Sequence, residues 1–138
     1  MDWMEALIAR LAGTAALAAL AQDRISWFDR QRGDGVPALV LTAVFAGREW
    51  THDGPDELDR PTVQFDCWAE VADQAVSLAR ELRLAMEAGG DATTAGGSSW
   101  RFHPAQLTGF GSEGEVNPDG GARLYRIRHD YEFHVEEI

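Results

Sequence analysis

The sequence has no lysine and only one cysteine, Cys67, among its 138 residues. A single cysteine excludes an internal disulfide framework. No apolar run approaches the roughly 20 residues that span a bilayer. Asp2 and Glu5 stand where a secretory signal would carry positive charge, so we expect no signal peptide. These absences favour a protein that is made and assembled in the cytoplasm, with no membrane contact.

The charge balance is strongly acidic. Twenty-three Asp and Glu residues against twelve arginines give a formal net charge of −11. A protein that grips nucleic acid needs a basic patch to neutralise phosphates, so this balance argues against nucleic-acid binding. It is compatible with a surface past which nucleic acid slides. The hydrophobic fraction of 45% is typical of a globular chain, and the length predicts one domain over residues 1–138.

The segment Pro61–Ala88 predicts a strand that runs almost directly into a long helix. Its first half alternates with a period of two, which is typical of a strand with one face on a core. After Trp68 the apolar residues recur at steps of three and four, which indicates one stripe of an amphipathic helix. Gly89 is expected to end this helix in a left-handed conformation. The predicted stripe contains Val71, Ala75, Leu78, Ala79, Leu82, Ala85 and Met86.

The remaining segments predict two further helices and several strands. The spacing of Met4, Leu7, Ile8 and Leu11 indicates a first helix, and Gly13-Thr14 separates it from a short helix over Ala15–Ala21. Further strands are expected over Arg24–Phe28, Ala38–Phe45, residues 100–110 with a bend at Pro104, and residues 121–136. Residues 89–99 are predicted to be a flexible connector.

This order predicts an α+β fold. We expect one mainly antiparallel four- to five-stranded sheet, with the N-terminal helix and the central helix packed on one face. The alternating part of the last strand, from Tyr125 to Glu136, would be about 40 Å long at roughly 3.3 Å per residue. Because this exceeds what one small domain requires, we expect part of it to lie along another subunit.

Two surfaces are candidates for contacts. Residues 46–60, "AGREWTHDGPDELDR", contain a turn at Asp53-Gly54-Pro55, so their flanks could extend two strands as a protruding arm. Trp and arginine side chains supply much of the binding energy at interfaces; the alternative is a solvated hairpin whose Trp50 folds back onto its own domain. The second surface is the charged side of the last strand, because unpaired buried charge is costly. The candidate residues are Arg48, Trp50, His52, Asp56 and Glu57 in the arm, and Arg126, Arg128, Asp130, Glu132 and His134 in the last strand.

The sequence contains no recognisable catalytic signature, so we expect no enzyme, no cofactor and no metal. Gly109–Gly114 spells G-x-G-x-x-G, but turn residues follow where a nucleotide site needs a helix, so a hairpin loop is expected there. His129 and His134 fall on opposite faces of one strand, and His52 lies on a loop without a second histidine. Cys67 is on the inward face of its strand and is interpreted as a small buried hydrophobic residue.

Three blocks resemble one known family in their order along the chain. They are "VPALVLTAVF", the central "TVQFDCWAEVADQAVSLARELRLAM" and the final "RLYRIRHDYEFHVEE". Together with the N-terminal helix they resemble the tail-completion proteins of long-tailed bacteriophages and phage-derived gene transfer agents. These are also called tail-terminator or head–tail joining proteins. The resemblance covers nearly the whole chain, although no single motif is diagnostic.

This resemblance implies a structural protein of the virion or phage-like particle, assembled in the host cytoplasm. It implies a homo-hexameric ring on the head-proximal end of the tail tube. Such a ring would end tube polymerisation, with tail-tube protein on one face and the head connector or adaptor on the other. Double-stranded DNA would pass through its bore without specific binding. Two alternatives remain: a portal-bound adaptor or other neck or tail-tube component, and an unrelated enzymatic or ligand-binding α+β domain.

Overall fold

Three helices and ten strands lie within the residues that the computed structural model describes, which are 2–28, 35–45, 48–51, 54–116 and 123–138. The helices are α1 (Asp2–Ala12), α2 (Ala15–Ala21) and α3 (Ala72–Ala88). The strands are β1 (Ile25–Trp27), β2 (Ala38–Phe45), β3 (Arg48–Thr51), β4 (Gly54–Asp59), β5 (Thr62–Ala69), β6 (Gly90–Thr93), β7 (Ser99–Phe102), β8 (Gln106–Val116), β9 (Arg123–Glu132) and β10 (Val135–Glu137).

The first sheet has five strands in the order β1-β2-β5-β9-β8. Its neighbours are antiparallel, except that β1 and β2 are parallel. In register, Phe65 of β5 lies opposite Leu41 of β2 on one side and His129 of β9 on the other. The α+β class and the mainly antiparallel sheet are therefore confirmed, as is the alternation along β5, whose Val63 and Cys67 are fully buried.

A second five-stranded sheet, in the order β3-β4-β10-β7-β6, was not predicted. Four of its strands, β3, β4, β10 and β7, are each next along the chain to a strand of the first sheet, namely β2, β5, β9 and β8. The two sets of strands stand in the same order in their sheets. Three of the passages from one sheet to the other are short breaks at residues 60–61, 103–105 and 133–134. The breaks lie side by side, because Phe133 N–H donates to Pro61 O at 3.3 Å and His103 N–H donates to His134 O at 2.9 Å.

The predicted uninterrupted strand over residues 121–136 is therefore wrong. Strand β9 ends at Glu132, and the chain re-enters a strand only at Val135, in the other sheet. Residues 121–122 lie outside the described part. Periodicity continues across the break, since Tyr131, Phe133 and Val135 are all buried, so the pattern alone could not reveal it.

One hydrophobic core draws residues from all three helices and from both sheets. Helix α3 packs against β5 and β9, while α1 packs against β1 and the second sheet. The rings of Phe65 and Tyr131 meet edge to face at 5.6 Å, and Trp3 of α1 contacts Trp27 at 5.8 Å and Phe133 at 6.2 Å. Such aromatic pairs add to the stabilisation that burial itself supplies.

The N-terminal helical stretch bends between α1 and α2, at the predicted Gly13-Thr14. Thr14 does not cap α2 through its side chain; its hydroxyl donates instead to Arg10 O at 3.0 Å. Among the described residues no single helix is long and apolar enough to cross a membrane. The two helices reach that length and composition only together, as a pair bent by 86°. Their residues Leu7 and Leu17 are fully buried in the core.

Arg10 of α1 holds the end of α3. The last carbonyls of a helix have no partner within it, and here the Arg10 guanidinium donates to Ala85 O and, at 2.8 Å, to Gly89 O. Gly89 ends the helix with φ 69°, as predicted. A Cβ at this position would lie 2.7 Å from Phe102 O, so glycine is required here for space as well as for conformation.

Residues 89–99 do not form the predicted flexible connector; they form the edge hairpin of β6 and β7. Thr94 organises its turn: Thr94 N–H donates to Ser98 O at 2.8 Å, and Ser98 N–H donates to the Thr94 hydroxyl at 3.2 Å. Beyond the turn, Arg101 pairs with Asp91 across the strands at 3.1 Å. Short polar side chains that bond to nearby backbone can specify a turn without any hydrophobic pattern.

Leu78 tests the packing of α3. It is fully buried, so Leu78→Ala should lower the free energy of unfolding by about 2–5 kcal/mol through lost burial and a residual cavity. The matched control is Leu84→Ala on the same helix, because Leu84 is 54% exposed; its change should stay within about 0.5 kcal/mol. Urea unfolding followed by circular dichroism measures both. Equal effects of the two substitutions would show that the assigned helix face is wrong.

His129 should make stability depend on pH. Burial lowers the pKa of His129 below its usual 6.5, helped by the positive charge of Arg83 and opposed by Asp130. As pH falls, His129 therefore becomes protonated in the unfolded chain before it does so in the folded protein. The stability that neutral His129 contributes is present above pH 6.5 and is lost as pH falls towards the folded-state pKa.

Between about pH 7.5 and about pH 5.5, the free energy of unfolding should decrease more for the wild type than for His129→Gln. The Gln variant also loses the 3.0 Å contact between His129 Nδ1 and the Tyr131 hydroxyl, but that loss is the same at both pH values. His103→Gln, at a partly exposed histidine, serves as the control. Parallel pH profiles for wild type and His129→Gln would contradict this assignment.

Candidate functional site

The arm is the hairpin of β3 and β4, Arg48–Thr51 and Gly54–Asp59. Trp50 lies opposite Pro55 and Thr51 opposite Gly54, with an irregularity between Arg48 and Trp50. The turn does join two paired strands, but β3 and β4 belong to the second sheet and do not lengthen β2 and β5 within the first. That the hairpin protrudes as a contact arm stays a prediction.

The arm meets the rest of the second sheet at the end of β4. Among the described residues, one register pair, Asp59 with Val135, joins it to the rest of the second sheet. Of the predicted contact residues, Arg48 and Trp50 lie on β3, and Asp56 and Glu57 lie on β4. His52 lies outside the described residues. Whether Trp50 contacts a partner or its own domain stays a prediction.

The polar face is the side of the first sheet opposite the helices. It contains four of the predicted residues, Arg126, Arg128, Asp130 and Glu132, which alternate along β9 with the buried, helix-facing positions. Register places Arg126 opposite Trp68, Arg128 opposite Asp66 and Asp130 opposite Gln64 on β5. The guanidinium of Arg126 also lies 5.6 Å from the centre of the Trp68 ring, a cation–π geometry.

The charges of the polar face are paired within the molecule. Arg126 Nε lies 3.8 Å from Asp66 Oδ1, and Arg128 Nε lies 3.8 Å from Asp130 Oδ1. At the end of β9, an Arg60 terminal nitrogen lies 3.4 Å from Glu132 Oε1. Among the described side chains, these three pairs balance three cations against three carboxylates.

His134, the fifth predicted residue of the last strand, is not part of this face. It lies in the break between β9 and β10, where its carbonyl accepts the bond from His103 and its ring meets the His103 ring at 6.5 Å. The His103 Nε2 atom also lies 3.1 Å from Glu136 Oε1, within hydrogen-bond distance. The strand break therefore separates His134 from the four residues with which the sequence grouped it.

The glycines of β8 make room for the polar face. The predicted hairpin loop at Gly109–Gly114 is wrong: these residues lie inside strand β8, next to β9. A Cβ at Gly109 would collide with the Asp130 side chain, whereas one at Gly111 would come into ordinary contact with the Arg128 guanidinium at 3.4 Å. The run therefore does not open a helix, as a phosphate site would require; it lets charged side chains of β9 lie across a bare strand.

The groove is a surface that sequence reasoning did not find. Helix α3 covers β5 and β9, and the sheet extends beyond it to β8, which leaves two adjoining hollows of about 300 Å³ and 260 Å³. They share Val76 of α3 and Ile127 of β9. Phe110 of β8 lies in the second hollow and is 62% exposed, and Val76 is 55% exposed.

The groove carries charge of one sign. The charged side chains that line it are Arg80 and Arg83 from α3. Arg126 borders the first hollow, but its guanidinium lies on the opposite side of the sheet, near Asp66 and Trp68. The signal that could have revealed it is modest, namely Val76 on the otherwise polar side of α3 and Phe110 within a glycine-rich strand. Neither position breaks the periodic patterns from which the elements were predicted.

Cys67 occupies the place expected of it. It is fully buried, and burial, followed by the nearby Asp66 carboxylate, raises the pKa of its thiol. A buried, protonated thiol is a poor nucleophile. Among the residues that the structure describes, no group of three or more His, Cys, Asp or Glu side chains is placed to hold a metal ion.

Comparisons with known proteins bear on identity. A chain in the virion of a native gene transfer agent particle has a similar fold, with a TM-score of 0.63 and 16% sequence identity; the match covers 98% of this chain and 95% of that chain. A second solved structure gives a TM-score of 0.49 at 14% identity, over 95% of this chain and 92% of the other. A comparison with curated proteins found no match. The family model described as tail completion protein gp17 matches residues 5–136, and the chain therefore belongs to the tail completion protein gp17 family.

Proposed function

We propose that this protein forms a ring that caps the head-proximal end of a tail tube, ends tube polymerisation and joins the tail to the head connector. The observation that carries the proposal is the family match over residues 5–136. The similar fold of a chain in a gene transfer agent virion supports it. The protein would then be a structural component of the neck, acting as one domain over residues 1–138.

The ring would be built from unlike surfaces of neighbouring copies. Head-to-tail contacts between different patches generate closed rings when the rotation closes, and we propose six copies. The arm supplies one set of contacts through Arg48, Trp50, His52, Asp56 and Glu57. The polar face and its surroundings supply another, through Arg126, Arg128, Asp130, Glu132 and His134.

Capping is a geometric function that requires no chemical step. One face of the ring would match the stacking surface of the tail-tube protein, while the other would lack the features that accept a further ring and would instead receive the connector or adaptor. Double-stranded DNA would pass through the bore. A net charge of −11 disfavours tight binding of phosphates, which would keep the DNA mobile.

Tube growth tests this proposal. Polymerising tail-tube protein should stop at short lengths when this protein is added at about one copy per fifty tube subunits, because a cap acts at tube ends and not along the wall. Negative-stain electron microscopy measures the length distribution. Unchanged tube growth together with binding to the portal would identify an adaptor instead and overturn the capping function.

Trp50→Ala tests the arm. If Trp50 contacts a partner, the variant should unfold like the wild type and weaken ring or tube contacts by about 1–3 kcal/mol, since buried tryptophans are frequent hot spots. Unfolding curves and analytical ultracentrifugation measure the two properties. Leu84→Ala, at an exposed position of α3, should change neither. Loss of soluble protein in Trp50→Ala would instead place Trp50 in the core of its own domain.

A further inference from the structure

The groove is an apolar surface that the fold leaves without a partner. Phe110 and Val76 expose more than half of their surface on either side of it, and Ile127 forms its floor where the two hollows join. Contiguous exposed apolar surface with a polar rim is typical of a contact site. The groove is bounded by α3 on one side and by β8 on the other.

Charge restricts what the groove can bind. The two charged side chains that line it among the described residues, Arg80 and Arg83, are both arginines, although the chain carries 23 acidic and 12 basic residues. Arg80 has no ion-pair partner among the described residues. Arg83 pairs with Glu87 at 2.9 Å across an exposed helical turn, a contact that contributes little. The groove therefore suits a segment that combines an apolar side chain with carboxylates.

The arm contains such a segment. Strand β4 reads Gly-Pro-Asp-Glu-Leu-Asp over Gly54–Asp59, which places three carboxylates around one leucine. The C-terminal Val135–Ile138 is also acidic, but it is already engaged: β10 pairs with β7, and Ile138 N–H donates to Ser99 O at 2.9 Å. Among the described residues, the arm joins the rest of the second sheet at the register pair of Asp59 with Val135.

The sheet order makes this contact intermolecular. The arm is next along the chain to β2 and β5, whereas the groove lies over β9 and β8, towards the β8 edge of the first sheet. With the order β2-β5-β9-β8, one copy presents its arm on the side opposite its own groove. A contact between the arm of one copy and the groove of the next is head-to-tail and can repeat around a ring.

We propose that the groove between α3 and the β8–β9 hairpin is the receptor for the acidic strand of the arm, Gly54–Asp59, of a neighbouring copy of this chain. The inference rests on the ring of the proposed function and names its subunit contact. Phe110, Val76 and Ile127 take the apolar side chain, and Arg80 and Arg83 take the carboxylates.

Cross-linking tests the contact directly. Cys67 is the only cysteine in the chain and is fully buried, so introduced cysteines supply the reactive thiols. The double variant Glu57→Cys, Val76→Cys should form a covalent ladder of oligomers under mild oxidation, seen on a non-reducing gel. The matched control is Glu57→Cys with Leu84→Cys, because Leu84 is equally exposed on α3 but does not line the groove; it should give at least about tenfold less ladder.

Charge exchange tests the chemistry of the contact. Arg80→Glu with Arg83→Glu, or Asp56→Arg with Glu57→Arg, should each weaken self-association at least about tenfold in native mass spectrometry. The variant with all four changes should recover to within about threefold of wild type, which a merely structural defect would not do. Arg101→Glu, on an exposed pair of the second sheet, controls for the change in net charge.

The outcomes separate this inference from the proposed function. Rings that still form and still stop tube growth, but yield no ladder and tolerate both reversals, would overturn the contact and leave the capping function intact. A ladder that links the arm to tail-tube protein instead of to a second copy would also overturn it. A protein that stays monomeric, both alone and on tail tubes, would overturn the contact and the ring together.

Discussion

The main constraint on this structure is the line along which its strands pass from one sheet to the other. Three breaks, at residues 60–61, 103–105 and 133–134, lie side by side and are joined by backbone hydrogen bonds. Because the strands keep their order across this line, the second sheet inherits its pairing from the first. The arm follows from the same line: β3 comes after β2 and β4 precedes β5 along the chain, and in the part of the chain that the structure describes β4 pairs outside the hairpin at Asp59.

Local patterns predicted the elements well where one period dominates. The change of period after Trp68 located both β5 and α3, and the nearly continuous apolar run Ala38–Phe45 located β2. The breaks were not predictable in this way, since Tyr131, Phe133 and Val135 stay buried on both sides of one of them. That break depends on Pro61 and His103, which are distant in sequence. Strand β6, Gly-Asp-Ala-Thr, has no hydrophobic period of its own, and the turn that joins it to β7 depends on the hydrogen bonds of Thr94.

The candidate surfaces also differ in how far the sequence could predict them. Alternation along β9 was enough to predict the polar face, but the pairing of Arg126 with Asp66 requires the register of β5 against β9, which no local pattern contains. The groove arises from a mismatch in width between one helix and a five-stranded sheet. Such a mismatch is a property of the assembled layers, so Val76 and Phe110 acquire their exposure only when α3 is placed over β5 and β9.

Strand β8 is the outer strand of the first sheet, so its eleven residues form one edge of that sheet. Its glycines, which serve the neighbouring β9, leave that edge with few side chains to shield it. Unshielded edges are templates for strand addition between molecules. Strand addition at such an edge would depend on backbone hydrogen bonds and not on charge, so raised ionic strength, which screens arginine–carboxylate contacts, would not prevent it.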